Sequence, residues 1–163
     1  MQITIKQMDN KEIKGKAFVH FKSWQEAYTG LVEQAFLDER TIDTCEEMAL
    51  SAMDKTIIAK DGERVVGFVQ YGKYSYDDLE DAGEITALYV LSEYYGKGIG
   101  YRLTQEAMKA LCDYSQTAVF VIKGNQRAID FYTRYGFRFD GQEGLSQVGV
   151  TVARMVLRKQ LPV

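Results

Sequence analysis

Between an apolar stretch from Glu84 to Val90 and an amphipathic one running to about Asp113, the chain carries the loop Gly96-Lys97-Gly98-Ile99-Gly100. The stretch before it, with Ile85, Ala87, Leu88, Tyr89 and Val90, is apolar on both faces, as a strand in the middle of a sheet must be. The stretch after it places Ile99, Leu103, Ala107, Ala110 and Leu111 along one helical stripe. A glycine loop at such a junction leaves backbone N–H groups without intrahelical partners, lets the main chain come close to a ligand, and gains the positive end of the helix dipole. The arrangement can hold a phosphate. Glycine clusters also make ordinary tight turns, so the order of the surrounding elements has to decide. The loop is not a Walker loop, because no Gly-Lys-Ser/Thr closes it, and it lacks the spacing of the dinucleotide fingerprint.

That order is readable along the chain. Gln2 to Gln7 alternates like a strand, and Lys11 to Tyr28 reads as a helix with Ile13, Ala17, Phe18, Phe21, Trp24 and Tyr28 as its apolar stripe. A second helical stretch from Gly30 to about Ala52 breaks near Asp38 to Thr41. Asp54 to Lys60 and Val65 to Tyr74 flank Asp61-Gly62, a hairpin signal. The acidic stretch Ser75 to Asp81 reads as a loop. After the glycine loop and its helix, Thr117 to Lys123 is a β-branched strand, Asn125 caps a helix ending at Tyr135-Gly136, and Phe137 to Gly141 and Val148 to Arg158 complete the chain as strands. The expected fold is α/β: a mixed, mostly antiparallel twisted sheet with helices on both faces. With 163 residues and no repeat or linker, one domain over residues 1–163 is expected.

Two segments give a resemblance. Tyr95-Gly96-Lys97-Gly98-Ile99-Gly100 resembles the Gln/Arg-x-x-Gly-x-Gly/Ala signature of the GNAT superfamily of N-acetyltransferases, with Tyr95 standing where the family has Gln or Arg. Gly124 to Phe137 resembles that family's Asn-x-x-Ala-x-x-Phe-Tyr-x-x-x-Gly-Phe element. The segment from Val19 to Leu37 is further similar to a bacterial subgroup that includes polyamine acetyltransferases. The resemblance implies an acyl-CoA N-acyltransferase fold, acetyl-CoA as cosubstrate, and a sheet that splays open between the strands beginning at Glu84 and Thr117. It also implies cofactor contacts at Leu88, Tyr89 and Val90, at Tyr95 through Tyr101 (Tyr95, Gly96, Lys97, Gly98, Ile99, Gly100, Tyr101), and at Asn125 and Ala128.

Acetyl transfer to an amine needs a neutral nucleophile, although a free alkyl amine has a pKa near ~10. The resemblance implies Glu84 as a base acting through water; on the residues alone Glu84 is equally an exposed strand-end charge. It implies Tyr132 as the acid that protonates the departing thiolate, against a reading in which Tyr132 is one more packed aromatic beside Phe131 and Tyr135. A free N–H near Leu88 to Val90 would steady the thioester oxygen. Trp24 and Tyr28 are the expected lining for the acceptor. Asp77, Asp78, Glu80, Asp81 and Glu84 cluster where they can draw in a cationic amine such as a polyamine, or can simply be a solvated loop. The alternatives are a protein N-terminal or lysine acetyltransferase and an acyl-CoA-binding module without turnover.

The net charge of −3 gives no broad basic field, so neither nucleic acid nor a membrane surface is an expected partner. The amino terminus alternates polar and apolar residues and no apolar run is long enough to span a bilayer, so a cytoplasmic protein is expected. Cys45 and Cys112 have neither metal nor redox spacing and read as two buried thiols, and no metal site is expected. His20, the sole histidine, reads as a packed or surface residue before a catalytic one. The late strands offer a second copy an edge or a face, which would make a homodimer.

Overall fold

The computed structural model describes residues 1–146 and 148–159. Strand β1 (Ile3–Gln7) leads into α1 (Ile13–Tyr28), followed by α2 (Gln34–Glu39) and α3 (Ile42–Ser51). Then come β2 (Thr56–Asp61), β3 (Arg64–Lys73), β4 (Ala82–Val90) and α4 (Ile99–Ala110). The chain continues through β5 (Gln116–Ile122), α5 (Gln126–Tyr135), β6 (Arg138–Leu145) and β7 (Thr151–Arg158). They form a seven-stranded sheet in the order β1-β2-β3-β4-β5-β7-β6, antiparallel except where β4 meets β5. No helix among the described residues is long and apolar enough to cross a membrane.

Helices cover both faces. Phe68 of β3 meets His20 of α1, while a side chain at its neighbour Gly67 would meet Leu103 of α4; adjacent strand residues point to opposite faces, so α1 and α4 lie on opposite sides. β4 is central, as its two apolar faces require. Its pairing with β5 covers only Ala82, Gly83 and Glu84 against Gln116, Thr117 and Ala118, after which the strands diverge. The expected opening is present, and Ala87 to Val90 on its β4 wall are only half-buried.

Several expectations are corrected. Of the apolar stripe expected on α1, Ala17 and Trp24 are buried, but Phe18 is exposed and Phe21 half-buried, and the buried face also carries Lys16, Val19, His20 and Ser23. Apolar periodicity misses a face that buries polar groups. On α4, Ala110 is exposed because the helix ends there, while Leu111, just past it, is buried. Cys45 is buried but Cys112 is exposed, lying in the turn beyond that helix beside Asp113. The strand expected at Phe137 to Gly141 runs instead from Arg138 to Leu145, and the last strand begins at Thr151.

Candidate active site

The glycine loop is built as its spacing requires. Gly96 and Gly98 have φ of +75° and +78°, values that L side chains rarely adopt, and a Cβ at either would meet nothing within 4 Å. The open space over the loop leaves its backbone accessible to a ligand. Gly98 caps α4, so the first N–H groups of that helix have no internal acceptor. At Gly100 a Cβ would sit 3.4 Å from the Phe131 ring, so the small residue there lets α4 and α5 approach.

A cavity of about 380 Å³ lies over this loop and contains seven of the expected cofactor residues: Val90, Tyr95 and Gly96, with Gly98, Ile99, Gly100 and Tyr101. Leu88, Tyr89, Lys97, Asn125 and Ala128 do not line it. Asn125 instead caps α5, its Oδ1 accepting from the Ala128 N–H at 3.3 Å. Sequence reading missed Arg127 and Arg134, which do line the cavity. The Arg127 guanidinium stands 3.1 Å from the centre of the Tyr95 ring. An aromatic ring at position 95 therefore positions a cation supplied from α5, which makes physical sense of the departure from Gln or Arg. The signal was available: Arg127 is the second residue after the Asn125 cap, beside the loop that α5 faces. Gly98→Val is expected to raise the Kd for coenzyme A at least ~10-fold by straining the cap and covering its amides. Isothermal titration would detect this, and an unchanged Kd would remove the loop from the binding site.

At the opening between β4 and β5, phenols from three elements come together. The Tyr28 and Tyr89 hydroxyls are 3.0 Å apart, and Tyr89 packs against the same core cluster that contains Tyr132 of α5. Burial raises the pKa of all three phenols, that of Tyr132 strongly. Tyr132 is 6% exposed, packs edge-on to Phe131 and Phe137, and makes no hydrogen bond through its hydroxyl among the described residues. Trp24 packs against Tyr28 at 4.7 Å, so the two expected acceptor residues are neighbours.

Glu84 is not an exposed strand end: it is 9% exposed, and its Oε1 has no hydrogen-bond partner among the described residues. Burial raises its carboxyl pKa, partly offset by a hydrogen bond from the Ser75 backbone. A Cβ at Gly83 would strike Leu111 and Tyr114 beyond α4, so Glu84 points to the opposite face, the α1 side. Tyr89 also faces α1, stacking on His20. In a regular strand residues 84 and 89 cannot share a face. They do so because the register slips between Gln70↔Ala87 and Tyr71↔Ile85, leaving Thr86 as a bulge whose hydroxyl donates to the Gln70 carbonyl.

The acidic loop is less open than its composition implies. Asp78 pairs with buried Arg154 at 3.1 Å and accepts from the Tyr74 hydroxyl. Asp81 accepts from the Ser115 N–H and, through its carbonyl, from the Ser115 hydroxyl, tying the loop to the start of β5. Asp77 and Glu80 remain exposed.

A profile of the Acetyltransferase (GNAT) family matches residues 19–137. The chain is 25% identical over 159 residues to an uncharacterised N-acetyltransferase, YuaI, of Bacillus subtilis, covering 95% of this chain and 91% of that one. It is 29% identical over 84 residues to a spermine/spermidine N(1)-acetyltransferase of the same species, covering 48% of this chain and 55% of the relative. Its fold superposes with a TM-score of 0.78 on the PaiA N-acetyltransferase of Thermoplasma acidophilum in complex with coenzyme A, at 19% identity over 94% of this chain and 98% of that one. The glycine-loop cavity, the diverging strands and the family match over most of the chain lead to one assignment: the protein belongs to the acetyltransferase (GNAT) family and is an acetyl-CoA-dependent N-acetyltransferase.

Proposed function

We propose that the protein acetylates the primary amine of a small molecule by direct attack, with Tyr132 as the acid and Glu84 as the base. The observation that carries this reading is the placing of Tyr132 in the core cluster against which Tyr89 packs, with the Tyr28 and Tyr89 hydroxyls in contact beside the stretch where β4 leaves β5. When bound, acetyl-CoA supplies an activated thioester. The amides of Gly98 to Gly100 and the Arg127 side chain are suited to its phosphates, which fits the open cradle over the loop. The half-buried β4 stretch Leu88 to Val90, unpaired on its β5 side, is where a free N–H can stabilise the thioester oxygen. Tyr132, like any phenol whose pKa lies at or above its ordinary value, is protonated at neutral pH and so has a proton to give to a departing thiolate. Glu84, with its carboxyl pKa raised and one oxygen unpartnered, is a stronger proton acceptor than an exposed carboxylate.

A polyamine acceptor is a second reading. Its support is the spermine/spermidine relative and the exposed pair Asp77 and Glu80, while Asp78 and Asp81 are engaged within the fold. Coenzyme A release, followed with a thiol reagent over a panel of polyamines, amino acids and peptides, tests the reading. Release that depends on an amine is the expected result. Tight acetyl-CoA binding with no release for any amine would turn the reading toward a binding module.

A further inference from the structure

Helix α1 buries four polar side chains and leaves an atom of each without a partner among the described residues: Lys16 Nζ, His20 Nδ1, Ser23 Oγ and Trp24 Nε1. Their residues are 0%, 4%, 1% and 9% exposed. Buried polar atoms are ordinarily hydrogen-bonded, so four orphans on one helix face mark an unmet need. They share a chemistry. An ammonium and an indole N–H only donate, and a serine hydroxyl can. Arg40 Nη1 lies 2.9 Å from His20 Nε2, and because a guanidinium cannot accept, Nε2 is the acceptor and the proton sits on Nδ1. The unfilled valences are donors awaiting an acceptor.

The charge has the same sense. Lys16 lies 4.3 Å over the Phe68 ring, and Arg40 lies 4.0 Å over the Trp24 ring; neither has a carboxylate partner among the described residues. Among the described residues the groups that shift Lys16 are Cys45 and Arg40, those that shift His20 are Lys16 and Arg40, and none is a carboxylate. Burial lowers the Lys16 pKa to about 8 and that of His20 to about 3, as expected where cationic groups are desolvated without an anion. The cluster adjoins the reaction site: His20 stacks on Tyr89 at 5.5 Å, and the Tyr89 hydroxyl meets that of Tyr28. Arg40, held by His20 and Trp24, is the half-buried member that a ligand can reach.

We propose that Arg40 and the donors of α1 form an anion-recognition site for the acceptor, which is therefore a small amine bearing a carboxylate, such as an amino acid. The proposal rests on the acetyl-transfer reading above and replaces the all-cationic acceptor, whose ammonium groups would face Lys16 and Arg40. A bidentate guanidinium–carboxylate contact supplies both affinity and orientation, fixing the carboxylate while the amine reaches the tyrosine cluster.

The test compares amino acids with their methyl esters and with spermidine in the thiol-release assay, in wild type, Arg40→Met and Arg40→Lys. For the best acceptor, kcat/KM is expected to exceed that of its ester by about 30-fold, the scale of one charge-assisted contact. That ratio should fall toward one in Arg40→Met and only partly in Arg40→Lys. Equal use of acid and ester, or a preference for spermidine that Arg40→Met leaves untouched, overturns the proposal while acetyl transfer stands. A second arm needs no turnover: N-acetylated amino acids and their methyl esters are titrated into the folded protein while its melting temperature is followed. A rise with the acids alone, lost in Arg40→Met, upholds the site even if no amine is acetylated. No difference between acid and ester means that the orphan donors are met by water, and the proposal fails.

Discussion

Replacing Tyr132 by phenylalanine is expected to lower kcat by about 100-fold or more, the scale of a lost general acid, with little change in the KM for acetyl-CoA. The substitution removes one oxygen from a residue that is 6% exposed and packed between Phe131 and Phe137, and it leaves those aromatic contacts intact. The hydroxyl has no hydrogen-bond partner among the described residues, so its loss strands nothing and the melting temperature should hold. Steady-state thiol release on both proteins, with calorimetry alongside, checks the result. A normal kcat with a shifted melting temperature would make Tyr132 a packing residue and send the search for the acid to Tyr28 and Tyr89.

Lys16→Met is expected to stabilise the protein by about 2 kcal/mol near neutral pH, raising its melting temperature by about 4–8 °C. Desolvation lowers the folded-state pKa of Lys16 from 10.5 to about 8, with Arg40 adding to the shift and Cys45 opposing it. The unfolded chain therefore holds this proton more tightly than the folded one. The penalty is present in full below about pH 8, shrinks as pH rises, and is gone above about 10.5. Methionine keeps the stem's packing over Phe68 and removes the uncompensated charge. The gain in melting temperature over wild type should accordingly diminish as pH rises from 8 to 10. A variant that melts lower than wild type at pH 7 would mean that the ammonium has a stabilising partner. If stability does rise, a destabilising residue is being kept at a binding site, as the trade between activity and stability predicts.

Much of this molecule was legible from residue pattern. The hairpin at Asp61-Gly62, the helix break near Arg40, the Asn125 cap and the divergence of β4 from β5 lie where local signals place them, because each depends on a few adjacent residues or on two matched motifs. The α1 face was not legible. A rule that sends apolar residues inward chose Phe18, and the fold buried Lys16, His20 and Ser23 instead. Arg127 escaped notice because its partner Tyr95 is distant in sequence, and the tethering of Asp78 depends on Arg154, which a loop reading cannot see. What pattern misses is the pairing of charged or polar groups across the sheet and the glycine loop.

The bulge at Thr86 gives β4 a change of parity. Before it, even-numbered residues look toward α1; after it, odd-numbered ones do. The strand thus behaves as two rulers joined with a half-step offset, and the joining residue takes up the offset. Substituting Thr86 costs one hydroxyl contact to Gln70, whereas deleting it restores a single alternation along the whole strand. Glu84 and Tyr89 would then stand four residues apart and still share the α1 side, so the bulge is the one residue between them whose loss leaves the carboxylate and Tyr89 on the same face.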